Sequence, residues 1–238
     1  MPHPLELAQA KAAEVLTCAA RALGVDTPCS PKTVRFRPDG KGGELATPFP
    51  MMAGVDAKVL ADAAPAEPLF ARVFPSGRWI ALDLSEQWLE QVRRWTPPER
   101  VLTAAAPPMP DFPARIDPAL WRLDALAGIA DPLTAARLDR GNPAWLVKRC
   151  IARAEKYSAD APDRRLVCES ALLWAALDEA DAGKIAAQLI ALAARYHVAP
   201  AENALIRKAL CAGWTALGLT TYNHDAESPI PHGNADRA

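Results

Sequence analysis

The chain has 238 residues, half of them apolar and only 6 % aromatic, with 27 Lys and Arg against 28 Asp and Glu for a net charge of −1. That length exceeds the roughly 100–150 residues of a usual single core, so two domains are expected, and an interior of Ala, Leu, Val and Ile favours packed helices. A charge near zero excludes a uniformly basic protein that coats nucleic acid by charge alone, so any nucleic-acid contact is local.

Residues 5–23 place Leu5, Ala8, Ala12, Val15, Ala19 and Leu23 at helical spacing, and Gly24 supplies the closing left-handed residue. Pro, Glu and Gln within Met1–Lys11 argue against a secretory leader. Strict alternation over 33–37 predicts a half-exposed strand with Val34 and Phe36 inward and Arg35 and Arg37 outward. A helix follows at 55–63. Strands at 69–74 and 78–84 flank Pro75-Ser76-Gly77 as a hairpin. Ser85 caps a helix that begins at Glu86 and turns Leu89, Val92 and Trp95 inward. Residues 1–96 therefore read as a small α+β domain with two or three antiparallel strands and 11 basic against 11 acidic residues.

Residues 97–141 are rich in proline, too rich for regular helix or interior strand, and read as a semi-extended linker. It carries two short helices at 118–126 and 132–138, each with an Asp cap and a first-position proline. Beyond Asn142-Pro143 the pattern is helical throughout, with helices at 144–158, 163–177, 180–196 and 201–217 and an apolar stripe on each. Residues 142–220 thus form an all-α helical bundle, and the polar tail 221–238 reads as flexible.

Catalytic groups are sparse. Gly40-Lys41-Gly42-Gly43 lacks the spacing of a phosphate loop and reads as a turn. His3, His197, His224 and His232 are isolated from one another, so no histidine pair is set to hold a metal or orient a base. Asp178, Glu179 and Asp181 are either a helix-capping turn or ligands for a divalent cation. Five scattered cysteines form no C-x-x-C pair and are expected to be reduced and buried. No run approaches the roughly 20 apolar residues of a membrane span, so a cytoplasmic protein with no membrane contact is expected. No enzyme activity, cofactor or metal is expected.

One constellation is better defined. Arg149, Arg153 and Lys156 recur at i, i+4, i+7, with Lys148 beside them and Trp145 one turn earlier. Cations for phosphates and a flat ring for an unstacked base suit a single-stranded RNA loop, although a solvated basic helix face explains the same row. Arg35, Arg37, Lys41 and Arg78 form a second basic patch around one sheet edge.

Two stretches carry a family resemblance. Gly43-Glu44-Leu45-Ala46-Thr47-Pro48, then the helical Lys58–Ala63, then Gly77-Arg78-Trp79-Ile80-Ala81-Leu82-Asp83-Leu84-Ser85-Glu86-Gln87-Trp88-Leu89, resembles in order and spacing the amino-terminal additional domain of arginyl-tRNA synthetases. Asn142-Pro143-Ala144-Trp145-Leu146-Val147-Lys148-Arg149-Cys150-Ile151-Ala152-Arg153 is similar to the run that opens the same family's anticodon-binding domain, the helical DALR type. Arg207-Lys208-Ala209-Leu210-Cys211-Ala212-Gly213-Trp214-Thr215-Ala216-Leu217-Gly218-Leu219 is similar to its closing pattern. Between these regions there is no room for a nucleotide-binding catalytic domain, and neither a HIGH-like nor a KMSKS-like motif is present. Leu146 stands in place of an aromatic, and Lys148-Arg149 in place of the family's Gln-Tyr.

The resemblance implies a non-catalytic tRNA-binding protein, with arginine tRNA among its candidate ligands and no role for DNA. Trp145 would stack on an anticodon-loop base; Lys148, Arg149, Arg153, Lys156, Arg207 and Lys208 would hold phosphates; Arg35, Arg37 and Arg78 would meet the D-loop side. The alternative is a protein–protein interaction module that kept the fold and lost the RNA.

Overall fold

The computed structural model describes residues 3–37, 42–97, 99–105, 108–109, 116–156 and 161–219. Helix α1 (Pro4–Ala22) opens with proline in its first turn and is capped by His3, whose Nδ1 accepts from Leu5 N at 3.0 Å. Four strands follow: β1 (Arg35–Phe36), β2 (Leu45–Thr47), β3 (Phe70–Ser76) and β4 (Trp79–Leu84). They form one antiparallel sheet in the order β1-β2-β4-β3. The short helices α2 (Phe49–Ala53) and α3 (Ala57–Asp62) lie between β2 and β3, and α4 (Glu86–Arg94) follows β4 behind the Ser85 cap.

Two local differences from the sequence reading have physical causes. Strand β2 is only three residues long and buried on both faces, so it offers no alternation to detect. The hairpin turn is Gly77-Arg78, with Ser76 paired to Trp79, because Gly77 at φ +63° takes the left-handed first position of a two-residue turn. Pro75 therefore sits inside β3, where its missing donor is tolerated because β3 is an edge strand.

The rest of the described chain is helical: α5 (Pro118–Leu126), α6 (Pro132–Ala135), α7 (Pro143–Lys156), α8 (Arg164–Glu179), α9 (Ala182–Val198) and α10 (Asn203–Ala216). Asp117, Asp131, Asp163 and Asp181 cap α5, α6, α8 and α9 by accepting from first-turn amides. The layout is thus α+β, with the sheet in the amino-terminal half and helices making up the carboxy-terminal half. Gly213 of α10 lies against Leu189 of α9; a β-carbon added there would come within 2.8 Å of the leucine side chain.

The halves share one hydrophobic core, which runs from Leu16 and Leu82 through Trp88 to Trp174, Tyr196 and Leu210. Helix α8 packs on both α1 and α4. Polar contacts seal the same boundary. Buried Glu44, at the start of β2, accepts from Leu84 N at 2.9 Å and from Arg164 Nη2 at 2.9 Å, and Arg164 also donates to the Leu84 carbonyl. Arg93 of α4 donates to Glu202, which also accepts from Asp163 N at 3.1 Å. Glu202 adopts φ +51°, an uncommon conformation for a residue with a side chain, and its carboxylate is held by these partners. The described part of the proline-rich segment also lies on the helices: Leu102 N donates to Ala216 O at 2.7 Å, and Arg122 bridges the Ala104 and Leu217 carbonyls.

Candidate nucleic-acid interface

Helix α7 begins where Pro143 can lose its amide without cost and Asn142 can cap. Fully buried Asn142 accepts from Trp145 N at 3.0 Å through Oδ1, while Nδ2 donates to the carbonyls of Ala135 and Arg137. This bond network fixes the start of the basic row. Trp145 is half-buried and packs against the core, and the exposed Arg149 lies one turn on with its guanidinium carbon 5.4 Å from the indole centroid.

Two of the remaining cations of the row, Lys148 and Arg153, have intrachain partners. Lys148 pairs with Asp117 at 3.2 Å, and Arg153 Nη1 donates to the His197 carbonyl at 3.4 Å. Lys156 is exposed at the last position of α7. Arg207 of α10 pairs with Glu155 at 3.0 Å.

Lys208 does not join the row, which corrects the expectation that it holds phosphate. Its ammonium donates to Arg93 O at 2.6 Å and Trp95 O at 2.7 Å, lies 5.7 Å from the Trp174 ring, and has its pKa lowered by burial. It satisfies the carbonyls that end α4. Adjacent residues on a helix point about 100° apart, so Arg207 and Lys208 serve different surroundings.

The second patch is better formed than its sequence suggested. Arg35 pairs across the sheet with Ala46, and Ala46 with Ala81, so these three share one face. Trp79 is two residues from Ala81 and Arg37 two from Arg35, which brings both to that face. The guanidinium carbons of Arg35 and Arg37 lie 5.7 and 5.4 Å from the Trp79 ring centroid. Along the same face Phe74 pairs with Ala81 and carries Arg72 at 4.1 Å, and Arg72 bridges to Asp83 at 2.8 Å. Arg78 is exposed in the adjoining turn. Among the described residues, Arg35, Arg37 and Arg78 form no ion pair with a carboxylate. Gly40 and Lys41 lie outside the described residues, as does the tail 221–238.

Trp79 was missed as a site residue, although the alternation Trp79, Ala81, Asp83 against Ile80, Leu82, Leu84 carries the signal. The residues Asp178, Glu179 and Asp181 resolve as a cap: Asp181 accepts from Lys184 N at 3.0 Å, and Lys184 pairs with Glu179 and Asp181. Burial pushes the Cys150 thiol up to about 11 and Cys168 up to about 12, so both stay protonated at neutral pH. No helix among the described residues is long and apolar enough to cross a membrane. No protein-family model, curated protein or solved structure matches the chain.

Proposed function

We propose that this protein binds RNA of the tRNA class without aminoacylating it, through two arginine–tryptophan faces, one on the sheet and one on α7. The observation that carries the reading is Trp79, a half-exposed indole flanked by two guanidiniums that no carboxylate among the described residues neutralises. An aromatic ring offers a sequence-tolerant stacking surface to an unpaired base, and the arginines beside it suit the phosphates on either side. A cation–π contact within the free protein keeps both arginines near the ring before any ligand arrives.

The resemblance of the Gly43–Leu89 and Asn142–Arg153 stretches to arginyl-tRNA synthetases supports the choice of tRNA, with the helical half taken as the DALR type. The sheet face would then meet the D-loop side, and Trp145, Arg149 and Lys156 the anticodon side. Filter binding of total tRNA across a salt series tests the proposal. Expected is binding well below about 10⁻⁴ M that weakens steeply as salt rises. Binding only in that nonspecific range, or binding indifferent to salt, rejects it.

A second reading has its own supporting observation. Lys148, Arg153 and Arg207 are already engaged within the chain, which lowers the charge that α7 offers to RNA and leaves it usable as a protein-binding surface. Protein purified without tRNA, with a partner that survives ribonuclease, favours this second reading.

A further inference from the structure

The sheet face that carries Trp79 carries a second flat group as well. The register sets Arg72 opposite Asp83, Phe74 opposite Ala81 and Ser76 opposite Trp79, so all six side chains stand on one face. Phe74 and Trp79 are thus diagonal neighbours across the strand pair, a separation of about 7–8 Å. Ala81 lies between Trp79 and Asp83 on this face of β4 and rises only as a methyl group, so no larger side chain of that strand stands between the two rings.

Arg72 turns the Phe74 position into a polar plate. Its guanidinium carbon lies 4.1 Å from the Phe74 ring centroid, and Nε and Nη2 both donate to Asp83 Oδ2, at 3.0 and 2.8 Å. The guanidinium therefore rests on the ring with its edge fixed by the carboxylate. Its opposite side faces solvent, since the Arg72 side chain is 63 % exposed. A guanidinium held in this way stacks on a nucleobase as an aromatic ring does. The ion pair leaves this plate close to neutral, so the charge for phosphates comes from Arg35 and Arg37 beside Trp79.

Two stacking plates one diagonal apart suit bases that follow each other along a strand and have been splayed out of a helix. We propose that this face takes two successive unpaired nucleotides, the base of one on Trp79 and the base of the next on the outer side of Arg72. On the RNA-binding reading, on which this proposal rests, the ligand of the sheet face is then a single-stranded segment of any base sequence, because every base has a stacking face and neither plate reads base edges. Duplex RNA does not fit, since its bases are already stacked on one another.

The test uses the full chain carrying Arg149→Glu, which silences the α7 row, and fluorescein-labelled octauridylate followed by anisotropy. A second strand has every other base removed, so that no register puts bases on both plates at once. Octauridylate is expected to bind about tenfold more tightly than the half-abasic strand or a duplex of the same length. Arg72 is exposed, so Arg72→Lys folds; it keeps the charge and the Asp83 partner and lacks the plane. In that variant the two strands are expected to bind within about twofold of each other, with the salt dependence unchanged. The proposal is overturned by no saturable binding of octauridylate up to about 1 mM, by equal binding of the two strands or of the duplex, or by a tenfold difference that survives Arg72→Lys. Any of these results beside tRNA held by the unaltered chain removes the two-nucleotide site and keeps the RNA-binding reading; the expected pattern with octauridylate beside no binding of tRNA keeps the site and removes the choice of tRNA.

Discussion

Arg93 of α4 and Glu202 at the entry to α10 meet at 2.8 Å across 109 residues of sequence, with most of both side chains out of water. The pair joins the end of the sheet-bearing half to the first turn of the last helix. Glu202 also holds the amide of Asp163, so one carboxylate organises the starts of two helices.

Replacing Glu202 by Ala leaves Arg93 with only the rim carboxylates Glu86 and Glu90 and leaves the Asp163 amide unsatisfied. The expected loss is about 2–4 kcal/mol, below the full value for a buried pair because Arg93 keeps some contact with water. Urea denaturation followed by far-ultraviolet circular dichroism and by tryptophan fluorescence should shift together. Separate transitions for the two probes would show that the halves unfold independently.

Trp79→Ala removes the ring and leaves Arg35 and Arg37 in place. If a base stacks on Trp79, tRNA affinity should fall by about 1–3 kcal/mol while the salt dependence stays the same, because no phosphate contact is lost. Equilibrium binding at three salt concentrations separates the two effects.

Arg149→Glu and Lys208→Met should behave oppositely. Arg149 is exposed, so its variant is expected to keep its stability and to lower the salt dependence by about one counterion, or more if the new acid repels a second phosphate. Lys208 satisfies two helix-end carbonyls, so its loss should cost about 1–3 kcal/mol of stability and leave RNA affinity of the folded protein unchanged. Thermal melts and filter binding on both variants decide this.

Much of this arrangement is legible in the sequence. The caps Ser85, Asp117, Asp131, Asp163 and Asp181 each stand one residue before a helix, and the alternation through Trp79–Leu84 places Trp79 outward. What was not legible depends on pairing between distant segments. Strand β2 lacks a pattern because neither face meets water. Lys208 looks like a surface cation until α4 ends against it. His3 looks like a terminal residue until Leu5 and Trp95 enclose it.

Two buried groups titrate in opposing directions. Asp124 is buried, and burial, only partly offset by the nearby Ala144 amide, raises its pKa from 3.8 to about 6. The folded state therefore holds this proton more tightly than the unfolded state, so stability from Asp124 is present below about pH 4 and is lost as pH rises toward 6. His3 is lowered from 6.5 to about 4, so its contribution is present above pH 6.5 and is lost as pH falls toward 4. The two slopes offset each other between pH 4 and 6.5. Asp124→Asn should show stability rising with pH across that window, and His3→Asn, which keeps a capping side chain, should show it falling. Chemical denaturation at four pH values reads both; parallel curves for the two variants would contradict the assignment.

Gly213→Ala tests the close approach of α9 and α10. The added methyl meets Leu189 at less than van der Waals distance, and the expected cost is about 1–3 kcal/mol, part of which Leu189→Ala in the same chain should restore.

The continuous core also bears on how the chain responds to a protease. Cleavage within residues 106–115 would sever the covalent path between sheet and bundle, yet α1 and α4 would still rest on α8, and the Glu44–Arg164 and Arg93–Glu202 bridges would still span the seam. A nicked molecule should therefore travel as a single particle through gel filtration and separate into two polypeptides only in denaturant.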